Sequence, residues 1–140
     1  MKDIDKQRVL FIVIDDDEIS NMISRLVIQN ALPGVDVITF INPVAALESL
    51  ENDFEFRQLH FSEVFVLLNI HMPLMTGWEF MARFDGLADE IKARLKVYML
   101  SSSVDNRDEM MSRDNKNVKE FLSKPLTIET VRRIRYQDDL

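Results

Sequence analysis

Five short apolar runs constrain this chain more than any other feature. They are Val9–Ile14, Val35–Phe40, Val64–Leu68, Val97–Leu100 and Val118–Leu122. Each has the length of a strand and is too short for a typical helix, and continuous apolar character is the mark of a strand covered on both faces. Helical patterns fill the intervals. Ile19, Met22, Ile23, Leu26 and Val27 recur at i, i+3, i+4, i+7 and i+8, which predicts a helix burying that stripe. Asn42-Pro43 predicts a helix start, since Asn caps and Pro suits the first helical position. Ala46, Leu47 and Leu50 then face inward. Trp78, Met81 and Phe84 form a third stripe, with Trp78 anchoring its helix on the sheet. Asp105 and Asp108 charge the start of a fourth helix. Thr127 caps a fifth, with Ile128, Val131 and Ile134 inward and Arg132, Arg133 and Arg135 complementing its dipole. Strands alternating with helices predict an α/β fold: a doubly wound, five-stranded parallel sheet in the order 2-1-3-4-5. In such a sheet the ligand site lies at the carboxyl ends of the strands.

Composition removes most other classes. The 140 residues suffice for one domain, read as 1–140. Cysteine is absent, which excludes disulfides, thiol catalysis and Cys-ligated zinc. His60 and His71 are the only histidines, so a multi-histidine metal site is excluded as well. Gly34, Gly77 and Gly86 are far apart, which excludes glycine-rich phosphate cradles. The net charge of −7 argues against a nucleic-acid partner, because phosphate contacts need a basic surface. No apolar stretch is long enough to span a membrane. Residues 1–8 are charged and carry no secretory signal, so the expected location is the cytoplasm. Met72, Met75, Met81, Met110 and Met111 read as core or surface filler rather than a cofactor box.

The strand ends carry the chemistry. Strand one ends in Asp15-Asp16-Asp17, strand three in Asn69, strand four in Ser101-Ser102-Ser103, strand five in Ser123-Lys124-Pro125. Carboxylates gathered in one crevice hold a hard divalent cation through oxygen. Lys124 supplies a point charge and Ser101 a hydroxyl for phosphoryl oxygens. The set reads as a phosphoryl–Mg²⁺ site, with Asp17 or Glu18 left to cap the first helix.

The strings FIVIDDDEIS, LLNIHMPLMTGWEF, VYMLSSS and FLSKPL, in this order and each at a strand end, resemble the receiver domain of bacterial two-component response regulators. The resemblance spans about residues 8–136 and implies a flavodoxin-like, CheY-like fold. By it, Asp15 and Asp16 are the acidic pair with Asp16 the direct metal ligand, and His71 offers a backbone carbonyl to Mg²⁺. Ser101 is the hydroxyl that reports phosphorylation, Lys124 contacts the phosphoryl group, and Phe121 occupies the aromatic switch position. A cis peptide before Pro125 is also implied. The string MPLMTGWEF and the early stop after the fifth helix look like stand-alone receivers. A module of that kind is no enzyme. Its partners are a sensor histidine kinase or phosphotransfer protein and a downstream protein target, and it is a monomer or weak dimer.

One departure is decisive. The family's phosphoacceptor is an aspartate, and this chain has Asn69. A carboxylate oxygen attacks phosphorus; an amide oxygen, uncharged and delocalised, does not. The change also removes one negative charge from the Mg²⁺ site, so any Mg²⁺ is held more weakly. A natural pseudo-receiver and an engineered block both fit. Thr76, where many relatives carry Asp, is a milder departure. The rival reading is a haloacid-dehalogenase-like Mg²⁺-dependent phosphatase, whose Asp-x-Asp would be Asp15 and Asp17, with Ser101 and Lys124 in support. That family needs a further acidic pair beyond the lysine, and the residues after Lys124 read as a single helix.

Overall fold

The computed structural model describes residues 5–52, 61–102 and 115–137. Five strands form one sheet: β1 (Asp5–Ile14), β2 (Asp36–Phe40), β3 (Phe61–Asn69), β4 (Leu95–Ser101) and β5 (Val118–Ser123). Their order is β2-β1-β3-β4-β5 and every neighbouring pair is parallel, as the alternation predicts. The described helices are α1 (Glu18–Ala31), α2 (Pro43–Asn52), α3 (Gly77–Phe84), the single turn α4 (Asp89–Lys92) and α5 (Ile128–Tyr136). The helix expected at Asp105 and Asp108 lies outside the described residues, as do His60, Ser103, Met110 and Met111.

The apolar runs become strands because successive side chains serve opposite layers. Leu10, Ile12 and Ile14 of β1, with Val64, Val66 and Leu68 of β3, point to one side. There they meet Ala46, Leu47 and Leu50 of α2 and Phe80, Met81 and Phe84 of α3. Val9, Phe11 and Val13, with Phe65 and Leu67, point to the other, against Ile28 and Ala31 of α1 and Val131 and Ile134 of α5. Phe11 and Phe65 stack there with centroids 4.7 Å apart. Met72, Met75 and Met81 are core residues, as expected, and Trp78 packs half-buried on the first layer.

Most helix starts follow the expected caps. The Asp17 carboxylate accepts from the N–H of Ile19 at 2.9 Å and of Ser20 at 3.3 Å. Asn42 accepts from Val44 at 2.9 Å, and Thr127 from Thr130 at 3.1 Å. Thr76 caps α3 in a reciprocal pair with Glu79, which gives this residue a structural role the sequence had left without one.

Two expectations are corrected. The apolar stripe of α1 is not its buried face: Ile19 is 64% exposed, Met22 55%, Ile23 46% and Leu26 54%. The inward residues are Asn21, Ser24, Ile28 and Ala31. The reason is hydrogen bonding. Asn21 Nδ2 donates to the carbonyl of Asp15 at 2.8 Å and of Phe40 at 3.2 Å, tying the first turn of α1 to the ends of β1 and β2. That rotates the helix so that small residues approach the sheet. Ile128 is also exposed, at 38%, while Val131 and Ile134 are buried as expected. Arg133 and Arg135 lie in the last turn of α5, as expected for cations that complement its dipole, and the α5 arginines also reach other elements. Arg132 donates to the Ala31 carbonyl at the end of α1, Arg133 forms a fork on Glu120, and Arg135 pairs with Glu63 at 2.6 Å.

Candidate functional site

Strand geometry delivers the site. The carboxyl ends of β1, β3, β4 and β5 lie side by side, so the residue that ends each run emerges at one edge of the sheet. Backbone bonds stitch these ends together: Ile70 N donates to Leu100 O at 3.0 Å and Lys124 N to Ser101 O at 2.8 Å. The peptide before Pro125 is cis. Asp15, Asn69 and Ser101 are buried at 3%, 7% and 1% exposure, whereas Asp16 is open to solvent.

A hydrogen-bond network joins them. Lys124 Nζ donates to Asp15 Oδ2 at 2.6 Å and to Ser20 Oγ at 3.3 Å. The Ser20 hydroxyl donates to the same carboxylate oxygen at 2.8 Å, and the Asp17 N–H donates to Asp15 Oδ1 at 2.9 Å. Asn69 Nδ2 faces three oxygens: His71 O at 3.0 Å, Asp15 Oδ1 at 3.4 Å and Asp16 Oδ1 at 3.4 Å. All three are acceptors, so the nitrogen of the amide belongs on that side.

The structure therefore brings Asp15, Asp16, Asn69, the His71 carbonyl and Lys124 into one network, and Ser101 ends the neighbouring strand. Ser20 is a member that the sequence had not singled out. Its only signal is its place in the first turn of the helix that follows the acids. Asp17 does not join Asp15 in the pocket, because its carboxylate caps α1; the Asp-x-Asp pair of the phosphatase reading is not assembled. Phe121 lies half-buried on the α2–α3 side of the sheet.

Gly77 sets the depth of the site. Its N–H donates to Ile70 O at 2.7 Å, and a Cβ there would stand 2.9 Å from Ile70 Cα and 3.0 Å from Asn69 O. Only a residue without a side chain lets α3 begin this close to the strand end that carries Asn69.

Solved structures share this architecture. A response regulator receiver protein from Dyadobacter fermentans superposes with a TM-score of 0.78 at 26% identity, covering 92% of this chain and 96% of its own. A two-component response regulator from Cytophaga hutchinsonii gives 0.81 at 26% identity, covering 92% and 95%. The chemotaxis protein CheY4 of Vibrio cholerae gives 0.68 at 20% identity, covering 93% and 98%. This is the receiver fold. No protein-family model matches the chain, and no curated protein does.

The receiver fold carries an implied Mg²⁺ site at these strand ends, and the donors present are of the right kind: carboxylate oxygens and a backbone carbonyl. Asn69, which the resemblance implies as a further ligand, does not fit. Asn69 turns N–H groups, not an oxygen, toward those donors. Among the described residues no three His, Cys, Asp or Glu side chains form a metal cluster, and no helix is long and apolar enough to cross a membrane.

Proposed function

We propose that this chain is a receiver, its residues 1–140 forming one domain, that works in a two-component phosphorelay in the cytoplasm and does not itself take a phosphoryl group. The observation that carries the reading is the shared network of Asp15, Asp16, Asn69 and Lys124 at the strand ends of a receiver fold, and in this reading the Asn69 amide stands where a receiver has its phosphoacceptor. Every group around that position fits phosphoryl transfer, and the nucleophile does not. An output by protein–protein contact is supported by α1, whose outer face carries Ile19, Met22, Ile23 and Leu26 in the open. A helix with such a face fits against apolar residues of another protein's helix. The partners in this reading are a sensor histidine kinase or phosphotransfer protein and a downstream target protein. The role is that of a signalling module rather than a catalyst.

Acetyl phosphate with MgCl₂ tests it. In a receiver, a carboxylate oxygen bonds to phosphorus as the bond to the departing acetate breaks. Intact-mass measurement should show the unsubstituted chain unchanged and Asn69→Asp gaining one phosphoryl group. A phosphorylated unsubstituted chain removes the claim about Asn69. An inert Asn69→Asp variant removes the claim that the remaining groups form a receiver site.

A further inference from the structure

The Asn69 amide does more than lack a charge. Its nitrogen stands among the Asp15 carboxylate, the Asp16 carboxylate and the His71 carbonyl, the three oxygens that would surround a divalent cation here. An amide nitrogen bears two N–H donors and a partial positive charge. The contact with His71 O is the shortest of the three, and the two carboxylate oxygens stand at 3.4 Å each. Asp15 Oδ2, turned away from Asn69, is satisfied by Lys124 Nζ at 2.6 Å and the Ser20 hydroxyl at 2.8 Å, and Oδ1, which faces Asn69, also accepts the Asp17 N–H at 2.9 Å. Asp15 is 3% exposed, so water does little of this work.

We propose that the Asn69 side chain takes the cation's place, so that the pocket is held by hydrogen bonds and is independent of divalent metal. The inference rests on these residues being the receiver site, and it separates two causes of weak Mg²⁺ binding. If only charge mattered, any neutral residue at position 69 would bind Mg²⁺ equally poorly. If the amide blocks the site, a cation bonded to these oxygens must first break the amide's contacts and expel its nitrogen. Asn69 is then a positioning residue that fixes the relative placement of the β1 end and the loop after β3. Removing it leaves two carboxylates facing one another with nothing between them. Mg²⁺ can then enter where the amide stood, even though no charge has been added.

The experiment is a calorimetric and thermal-melting titration of the full chain with MgCl₂ against EDTA, with NaCl at matched ionic strength as the control. Three proteins are compared: unsubstituted, Asn69→Ala and Asn69→Asp. The unsubstituted chain should melt at the same temperature in EDTA and in MgCl₂. Asn69→Ala should melt lower in EDTA, recover in MgCl₂ and bind Mg²⁺ at least about fivefold more tightly than the unsubstituted chain, because ligand access rather than charge has changed. Asn69→Asp should bind most tightly of the three. Equal affinity of the unsubstituted chain and Asn69→Ala overturns the inference and leaves charge as the cause. Failure of Asn69→Asp to bind overturns the receiver-site reading instead. Should Asn69→Ala fail to fold, the Asn69 side-chain amide resonances of the unsubstituted chain decide: they should stay in place on adding MgCl₂, and a shift of both protons with saturation refutes the proposal.

Discussion

Gly77 couples the core to the site through a space with no room for a methyl group. A Cβ there would meet Met99 Cε at 2.6 Å, which can swing away, and Ile70 Cα at 2.9 Å, which cannot. Gly77→Ala should therefore cost about 1–3 kcal/mol, the usual range for forcing extra volume into a packed interior. The strain should push on the backbone of Asn69 and Ile70. The checks are the urea midpoint and the backbone amide shift of Asn69. An unmoved midpoint would mean that α3 starts further from the strand end than described. At this scale the site was only partly legible. Asp15, Asp16, Asn69, Ser101 and Lys124 could be named because each ends an apolar run. The direction of the Asn69 amide could not, because it is set by three acceptors contributed by residues 15, 16 and 71. Ser20 escaped notice for the same reason: a serine in a first turn gains meaning only when Lys124 arrives from the far end of the chain.

Among the elements, α1 separates what hydropathy predicts from what packing selects. Ile19, Met22, Ile23 and Leu26 form the more apolar face, yet Asn21, Ser24, Ile28 and Ala31 are buried. Both sets repeat at helical spacing, so periodicity alone cannot choose between them. The choice falls to the Asn21 side chain, which donates to the Asp15 carbonyl and adds a second donor to the Phe40 carbonyl, already paired with Asp15 N. Substitutions should reveal the inversion. Ile28→Ala should cost about 2–5 kcal/mol, as for other large core residues cut to alanine. Met22→Ser and Leu26→Ser should each stay within about 0.5 kcal/mol of the unsubstituted chain. Chemical denaturation of the three variants is the check, and a cost at Leu26 rivalling that at Ile28 would place the outer stripe in the core. The central strands posed no such problem, whereas the edge strands β2 and β5 are covered only in part. With both faces covered, every residue of a run such as Val64–Leu68 is inward, and no face has to be chosen.

Across the whole molecule, parallel direction followed from alternation, because a strand that returns parallel needs a helix to carry it back, while the order 2-1-3-4-5 is the one the receiver resemblance implied. The network at the strand ends is longer in reach than any local pattern. Asp15 and Lys124 are 109 residues apart in the chain and 2.6 Å apart in space. Lys124→Met should lower stability by about 2 kcal/mol, below the range for breaking a fully buried pair because Lys124 keeps some contact with water. Equilibrium denaturation measures the loss, and stopped-flow mixing shows how it divides between the two directions.

That division follows from which contact can close last. Asp15 leaves a ribosome long before Lys124 does, and the two meet only when β5 has docked beside β4 and β4 beside β3. A contact of such separation pays its loop-closure cost after the local helices and the β1–β3 pairing have formed. Lys124→Met should then speed unfolding and leave the folding rate nearly unchanged, a φ-value close to zero. A marked slowing of folding would mean that the two ends meet early. On this account the Asp15–Lys124 contact is a seal of completed folding: a chain arrested or cut before β5 would hold its acids without their lysine.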